Sequence, residues 1–209
     1  MAREDMQEAA WPAVLERPQI SLVGDIDKYS VQSFLEQLNE AEQGGGDVAL
    51  ELTTLGGDPE MARRIVLEID RARARLAGRF FFFGKTVVYS AGITIMSAFP
   101  CRDRWLSRDT MLMIHGRKLD KTIELSGPIR ASIPMVEALL AQLRVGIDHE
   151  EENFARLIDG CDIGPIEVRS KALHNSYLGA REAQSRGLVA GLVGAWPGDD
   201  GERAPPRSH

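Results

Sequence analysis

Three short segments carry residue types that could perform catalysis. In the first, Ser90 stands between a β-type run and the small residues that open an apolar helical stretch. A serine on such a turn can expose its hydroxyl for nucleophilic attack, and backbone N–H groups nearby can stabilise the negative charge that develops. A serine at a strand-to-helix junction is more often a simple N-cap, so this position alone is weak evidence for catalysis.

The second segment places a histidine at the end of an apolar strand. His115 directly follows residues 111–114 and precedes Gly116. In open α/β sheets the carboxyl ends of the strands border the crevice in which ligands bind, so an imidazole at this place could serve as a base. A structural histidine with satisfied hydrogen bonds is the commoner case for an isolated position of this kind.

The third segment is a glycine pair between a predicted strand and a predicted helix. Gly56 and Gly57 would let the backbone approach a ligand closely and direct an N–H group towards it. A plain turn is the better explanation of the pair in isolation. A phosphate-binding loop is disfavoured because the spacing of neither common glycine-rich motif is present.

The elements that must position these residues alternate between strands and helices. Apolar runs predict strands at residues 18–23, 48–52, 79–83, 104–106 and 110–114. Helical spacing predicts helices around residues 31–38, 59–76 and 90–99. This alternation predicts an α/β fold with a mostly parallel sheet and right-handed crossovers.

The chain changes character after His115. Residues 120–173 carry apolar positions at helical spacing but no convincing strand, and Ser132 is a plausible helix start. This excursion resembles an arm used for assembly, and an ordinary covering helix explains the pattern comparably well. Residues 1–16 are expected to form a flexible arm, and residues 197–209 a disordered tail.

Composition and charge weigh against several classes of function. The formal net charge of −6 argues against a nucleic-acid binder that works by neutralising phosphates. The two cysteines and four histidines show no metal-ligand spacing, and neither a metal nor another cofactor is expected. We expect a cytoplasmic protein without a membrane anchor, because the N-terminus lacks a basic-then-apolar leader and no apolar run could span a bilayer.

The order of these segments resembles that of the proteolytic subunit of the Clp proteases. The likeness covers about residues 18–193, including the terminal segments 175–180 and 187–189. His115 follows Ser90 at the family's own interval without a gap, which is the most specific part of the likeness. The resemblance implies a Clp/crotonase-type fold of repeated β-β-α units in residues 17–196, with a helical arm at about residues 120–165.

The resemblance also implies roles for individual residues. Ser90 matches the family's nucleophile and His115 matches its base. Gly56, Gly57 and Ala91 match the backbone that forms the oxyanion hole. The implied activity is that of a serine endopeptidase acting on polypeptides.

The triad aspartate of the family is the clearest departure, because Asn175 stands in its place. An asparagine can accept a hydrogen bond from His115 and fix its tautomer, but it supplies no negative charge to stabilise the imidazolium. We therefore expect slower chemistry. Asp159 or Asp162 could substitute if the long helical segment folds back.

Four further departures concern the pocket and the partners. Thr54 and Leu55 replace the family's Ser-Pro before the glycines, and the bulky Tyr89 precedes the serine where the family has a small residue. The segment between the histidine and the asparagine is longer than usual, and the N-terminal arm lacks the family's pore-lining loop. The peptide-binding edge, the shape of the pocket and the docking of an AAA+ unfoldase can therefore differ from those of the family.

Assembly and the alternative functions also follow from the resemblance. Family members stack two rings of seven subunits, so a homo-oligomer, heptameric or tetradecameric, is implied. One alternative is an inactive subunit or scaffold, for which Asn175 is the best support. Others are a crotonase-fold acyl-CoA enzyme, or a membrane-anchored peptidase with a Ser–Lys dyad, for which Lys85 lies nearby in sequence.

Overall fold

The central element of the structure is a sheet whose strands are mostly parallel. A computed structural model describes residues 11–119 and 121–194, and seven strands lie within them. The strands are β1 (Ile20–Val23), β2 (Val48–Thr54), β3 (Phe80–Tyr89), β4 (Arg104–Ser107), β5 (Met111–Ile114), β6 (Ser176–Gly179) and β7 (Gly191–Val193). The order β1-β2-β3-β4-β7 is parallel throughout, β5 is parallel to β3, and β6 is antiparallel to β5. The predicted α/β class and mostly parallel sheet are confirmed.

Six α-helices connect and flank these strands in the described part of the chain. They are α1 (Lys28–Gly44), α2 (Pro59–Arg75), α3 (Ala91–Ser97), α4 (Ile129–Ile158), α5 (Pro165–Ala172) and α6 (Ala180–Ser185). Asp27 and Asp58 start the first two helices, since each carboxylate accepts backbone N–H groups of the first turn. Gly45 ends α1 in the left-handed conformation, with φ of 69°.

Strand β3 changes its neighbour halfway along its length. Its first half pairs with β4 through Phe82–Gly84, and its second half pairs with β5 through Val87–Tyr89. The sequence predicted a strand only over residues 79–83, because Gly84 and the polar residues after it interrupt the apolar run. The longer strand brings its carboxyl end beside that of β5, and these two ends carry Ser90 and His115.

Apolar side chains are buried on both faces of the sheet. Helices α1, α2 and α3 cover one face, where Phe34, Ile65 and Ile95 are fully buried. On the other face, Leu15 packs with Phe81, Phe83, Trp105 and Ala49. Leu15 belongs to the short 3₁₀ turn Ala13–Glu16, so residues 11–16 differ from the flexible arm expected of them. Residues 1–10 and the expected tail at 197–209 lie outside the described residues.

Helix α4 divides into an exposed and a buried part. It begins at Ile129 rather than at the predicted Ser132, and it accommodates Pro134 six residues into the helix. Exposed apolar side chains line its first part, namely Ile129, Ile133, Met135, Val136, Leu140, Leu143, Val145 and Ile147. From Phe154 onwards its apolar residues join the core. None of the described helices is both long and apolar enough to cross a membrane.

Candidate active site

Ser90 occupies a sharp turn between β3 and α3. Its φ of 54° and ψ of −111° lie where residues other than glycine are rarely found. Its N–H donates to the carbonyl of Met113 in β5 at 3.0 Å, and its own carbonyl accepts the N–H of Ile93 at 2.9 Å. Backbone strain of this kind costs about 1–3 kcal/mol and persists where the surroundings enforce it, often at functional sites.

The glycine pair lies directly against this serine. A Cβ placed on Gly56 would stand 3.0 Å from the Ser90 Cβ and 3.3 Å from its Oγ. The Gly56 N–H donates to Thr54 Oγ1 at 3.0 Å, and its carbonyl accepts the N–H of Ile26 at 2.9 Å. Gly56 therefore contacts the serine side chain but has its own N–H engaged elsewhere.

Two other backbone N–H groups lie at the same cavity without a hydrogen-bond partner among the described residues. They belong to Gly57, with φ of 142°, and to Ala91, the first residue of α3. A side chain at Gly57 would meet the backbone of Ile26 at 2.3 Å, so this approach requires glycine. Two such donors beside a serine hydroxyl form the kind of arrangement that stabilises an oxyanion.

His115 lines the same cavity as Ser90. Its Nδ1 lies 2.5 Å from the carbonyl oxygen of Gly116. Because a carbonyl can only accept, this contact assigns the proton to Nδ1 and leaves the lone pair on Nε2. The Gly116 N–H in turn donates to the carbonyl of Ala172 at 2.9 Å.

Asn175 is next to His115 in register but makes no hydrogen bond to it in the described structure. Strands β5 and β6 pair Ile114 with Ser176, so the following position places Asn175 opposite His115. Asn175 has φ of 55° and is exposed, and the described residues include no hydrogen bond between its side chain and the imidazole. Asp159 and Asp162 lie at and beyond the end of α4 and do not line the cavity.

The cavity between these residues has a volume of about 150 Å³. Ile93, Ile114 and Phe154 supply apolar walls, and Glu150 and Asn153 reach it from α4. The sequence alone pointed to none of the α4 residues that line the cavity. Their spacing places positions 150, 153 and 154 on one face of a helix, but nothing in the sequence ties that face to Ser90.

An ion pair spans the rim of the cavity. Arg117, two residues after the histidine, donates to the carboxylate of Glu60 in the first turn of α2, and Arg63 donates to the same carboxylate at 2.9 Å. Burial acts to raise the pKa of Glu60, but the hydrogen bonds from Arg117 and Arg63 outweigh it and hold that pKa below its ordinary value. The ion pair ties the segment after the base to the helix that follows the glycine pair.

Two residues singled out in the sequence do not line this cavity. Tyr89 turns to the other side and packs edge-on against Tyr177, with ring centroids 5.8 Å apart. Lys85 pairs with Glu51 on β2. Within residues 11–119 and 121–194, no cluster of three His, Cys, Asp or Glu side chains is placed to hold a metal.

One solved structure similar to this chain is an asparagine-to-aspartate mutant of ClpP1 from Listeria monocytogenes. The two share 18% sequence identity with a TM-score of 0.65, over 83% of this chain and 90% of that chain. No family model matches the sequence, and neither does any curated protein. The likeness shows that this chain has the ClpP-like Clp/crotonase-type fold.

Proposed function

We propose that this protein is a serine endopeptidase that cleaves polypeptides through an acyl-enzyme, with Ser90 as nucleophile and His115 as general base. One observation carries the proposal: a serine on a strained turn, a histidine whose Nδ1 is held by a carbonyl, and two backbone N–H groups with no hydrogen-bond partner among the described residues border one cavity. These are the parts that acyl transfer needs. The ClpP-like fold adds support, since it is a protease-type fold.

The reaction follows from the atoms that line the cavity. Ser90 Oγ attacks the carbonyl carbon of the scissile bond while His115 Nε2 removes the hydroxyl proton, and the oxyanion accepts hydrogen bonds from the N–H groups of Gly57 and Ala91. The imidazolium then protonates the leaving amine, the C–N bond breaks, and an ester to Ser90 remains. Water, deprotonated by His115, hydrolyses this ester and releases the acid and the free serine.

The oxyanion donors are expected to account for much of the rate. Losing one such donor typically costs about 2.7–4 kcal/mol of transition-state stabilisation. In this site Gly56 acts by leaving room beside the serine, and Gly57 and Ala91 supply the N–H groups. The two glycines therefore have different tasks.

Asn175 is the proposed third member of the triad. Its place opposite His115 in the β5–β6 register supports this role. Its amide carries no charge, so the imidazolium is stabilised less than by a carboxylate, and we expect slow turnover.

We further propose that the protein works as a cytoplasmic homo-oligomer, with a second copy covering the exposed part of α4. Eight large apolar side chains of this part are exposed, with Ile129 85% accessible, and apolar patches of this extent mark interaction surfaces. The ring arrangement of the Clp family, a heptamer that can stack into a tetradecamer, is the proposed assembly. An AAA+ unfoldase is the proposed partner that would supply unfolded polypeptide.

A catalytically inactive subunit is the second candidate. The observation that favours it is the exposed side chain of Asn175, which makes no hydrogen bond to His115 in the described structure. In that case the protein would serve as a scaffold within a peptidase ring.

Reaction with a fluorophosphonate probe separates the two candidates. We expect labelling of the purified protein that is lost in Ser90→Ala and His115→Ala and kept in Ser185→Ala, which removes an exposed hydroxyl on α6. Assembly measured by light scattering verifies that each variant is intact. A folded, assembled wild-type protein that does not label would overturn the peptidase proposal and favour the inactive subunit.

A further inference from the structure

We propose that Glu150 is the positioning residue for the catalytic base, and that it acts through a single peptide group. This inference rests on the proposed function, because it assigns to His115 the role of general base. It concerns how the imidazole is held in the described structure, where Asn175 makes no hydrogen bond to it. The residue that takes over this task lies on α4, far from the serine and the histidine in sequence.

The contacts around the turn after His115 carry the proposal. The Glu150 carboxylate accepts the backbone N–H of Arg117. It also lies 3.3 Å from the position that a Cβ on Gly116 would take. The Gly116 carbonyl holds His115 Nδ1 at 2.5 Å. The turn is therefore held between α4 on one side and the imidazole on the other.

The carbonyl of Gly116 and the N–H of Arg117 belong to the same peptide group. A trans peptide is planar, so its N–H and C=O bonds point in opposite directions. When Glu150 fixes the direction of the Arg117 N–H, it also fixes the direction of the Gly116 carbonyl, which accepts the hydrogen bond from Nδ1. Rotating this peptide would leave Nδ1 without its acceptor. The tautomer with its proton on Nδ1, which keeps the Nε2 lone pair available, would then no longer be favoured.

The charge of Glu150 acts in the same direction. A carboxylate at the N–H end polarises the peptide group and makes its carbonyl a stronger acceptor, because hydrogen bonds in a chain reinforce one another. The peptide thereby relays part of the effect that a triad carboxylate would exert directly on Nδ1. The Arg117 side chain adds a second anchor through its ion pair with Glu60, and the Gly116 N–H adds a third on Ala172.

Two substitutions of similar size distinguish the loss of the hydrogen-bond acceptor at position 150 from a change in side-chain packing. Glu150→Gln keeps an oxygen that can accept the Arg117 N–H, whereas Glu150→Met keeps the length and removes the acceptor. Glu151→Met is the matched control, because Glu151 pairs with Arg169 of α5 and does not line the cavity. Glu150→Ala replaces the Met variant if that variant does not assemble.

The first readout is the rate at which a fluorophosphonate modifies Ser90, divided into initial binding and bond formation. We expect Glu150→Met to slow bond formation about 10- to 100-fold, as misplacement of a catalytic group by about 1 Å does. The loss in bond formation should exceed any change in binding, which Glu150 can affect because it lines the cavity. Glu150→Gln should stay within about threefold of wild type, and Glu151→Met should match wild type, because neither removes the acceptor for the Arg117 N–H. Equal rates for the Met variants at 150 and 151, or equal losses in Glu150→Gln and Glu150→Met, would overturn the proposal.

The second readout does not depend on peptidase activity. Diethyl pyrocarbonate modifies accessible imidazoles, and the tryptic peptide 109–117 contains His115 and no other histidine. We expect faster modification of His115 in Glu150→Met than in Glu151→Met, because the ring has lost its fixed partner. An unlabelled Ser90 in the wild-type protein with this difference intact would refute the proposed function and keep the positioning role. Identical modification in the two variants would refute the positioning role.

Discussion

Replacing Gly56 with alanine should strongly lower the reactivity of Ser90 while leaving the protein folded. Gly56 has φ of 126°, and a Cβ there would lie 3.0 Å from the Ser90 Cβ. That distance is shorter than ordinary van der Waals contact, and Ser90 cannot yield easily because Met113 and α3 fix its backbone. The methyl group would therefore displace either the nucleophile or the loop that continues into Gly57.

Two contributions determine the size of this effect. The conformation itself costs about 1–3 kcal/mol for a residue with a side chain, and this cost falls on stability. Displacing the loop removes the Gly57 N–H from the oxyanion, at about 2.7–4 kcal/mol, and this cost falls on the reaction. At 1.36 kcal/mol for each factor of ten, the second contribution predicts a loss of about 10²- to 10³-fold in rate.

Gly24→Ala is the control that separates the two contributions. Gly24 has φ of 106°, but a Cβ there meets nothing within 4 Å. It should lower stability to a similar extent and leave fluorophosphonate labelling of Ser90 unchanged. The assay compares labelling rates of both variants with wild type, alongside urea unfolding by circular dichroism. A Gly56→Ala protein that labels at the wild-type rate would refute the proposed close packing of oxyanion loop and nucleophile.

Three further changes test other parts of the structure. Asn175→Asp should raise the labelling rate of Ser90, because a carboxylate opposite His115 stabilises the imidazolium; an unchanged rate would show that position 175 does not act on the base. Arg104→Met should lower the free energy of unfolding in urea by roughly 3–5 kcal/mol, because the backbone carbonyls that accept hydrogen bonds from the buried guanidinium would lose their donor. A loss below about 1 kcal/mol would contradict this account. A hydrogen bond from Arg186, and to a smaller extent one from Lys171, lowers the pKa of Glu167 from 4.5 to about 2. The stabilisation that these pairs give the folded state is therefore complete above pH 4.5 and is lost as the pH falls towards 2. The difference in Tm between wild type and Glu167→Gln should accordingly narrow below pH 4.5. A Tm difference independent of pH would contradict the pairing.

Local patterns predicted the elements that a residue's immediate neighbours determine. The helix expected over residues 59–76 runs over Pro59–Arg75, because Asp58 caps it and Pro59 suits its first turn. The strand expected at residues 48–52 runs over Val48–Thr54. These elements carry their start signals and apolar periodicity within a few residues, so a single sequence is sufficient to find them.

The elements that depend on distant partners were predicted incompletely. Strand β3 continues to Tyr89 because its second half pairs with β5, a contact that no local pattern records. Helix α4 begins before Pro134 although proline removes a backbone donor. For β3, pairing with a distant strand outweighs the local preference.

The candidate site shows the same division. The serine and the histidine were found by residue type and by their likeness to a family, and both line the cavity. The direction of the Asn175 side chain depends on its left-handed backbone, with φ of 55°, and could not be predicted from residue type. Glu150 carries no motif at all, since its contact with the Arg117 N–H exists only once α4 has packed against the turn.

The nucleophile and the base are supported by different parts of the molecule. Ser90 is held by β5 and by the start of α3, which belong to the core. His115 directly follows β5, and the turn after it is fixed by Glu150 in the second half of α4 and by Ala172 at the end of α5. The exposed apolar part of α4 precedes Glu150 on the same helix, so a second copy that covers this part acts first on the support of the base. The proposed assembly would thus act on the turn that holds His115, while the strained conformation of Ser90 is already set within one subunit.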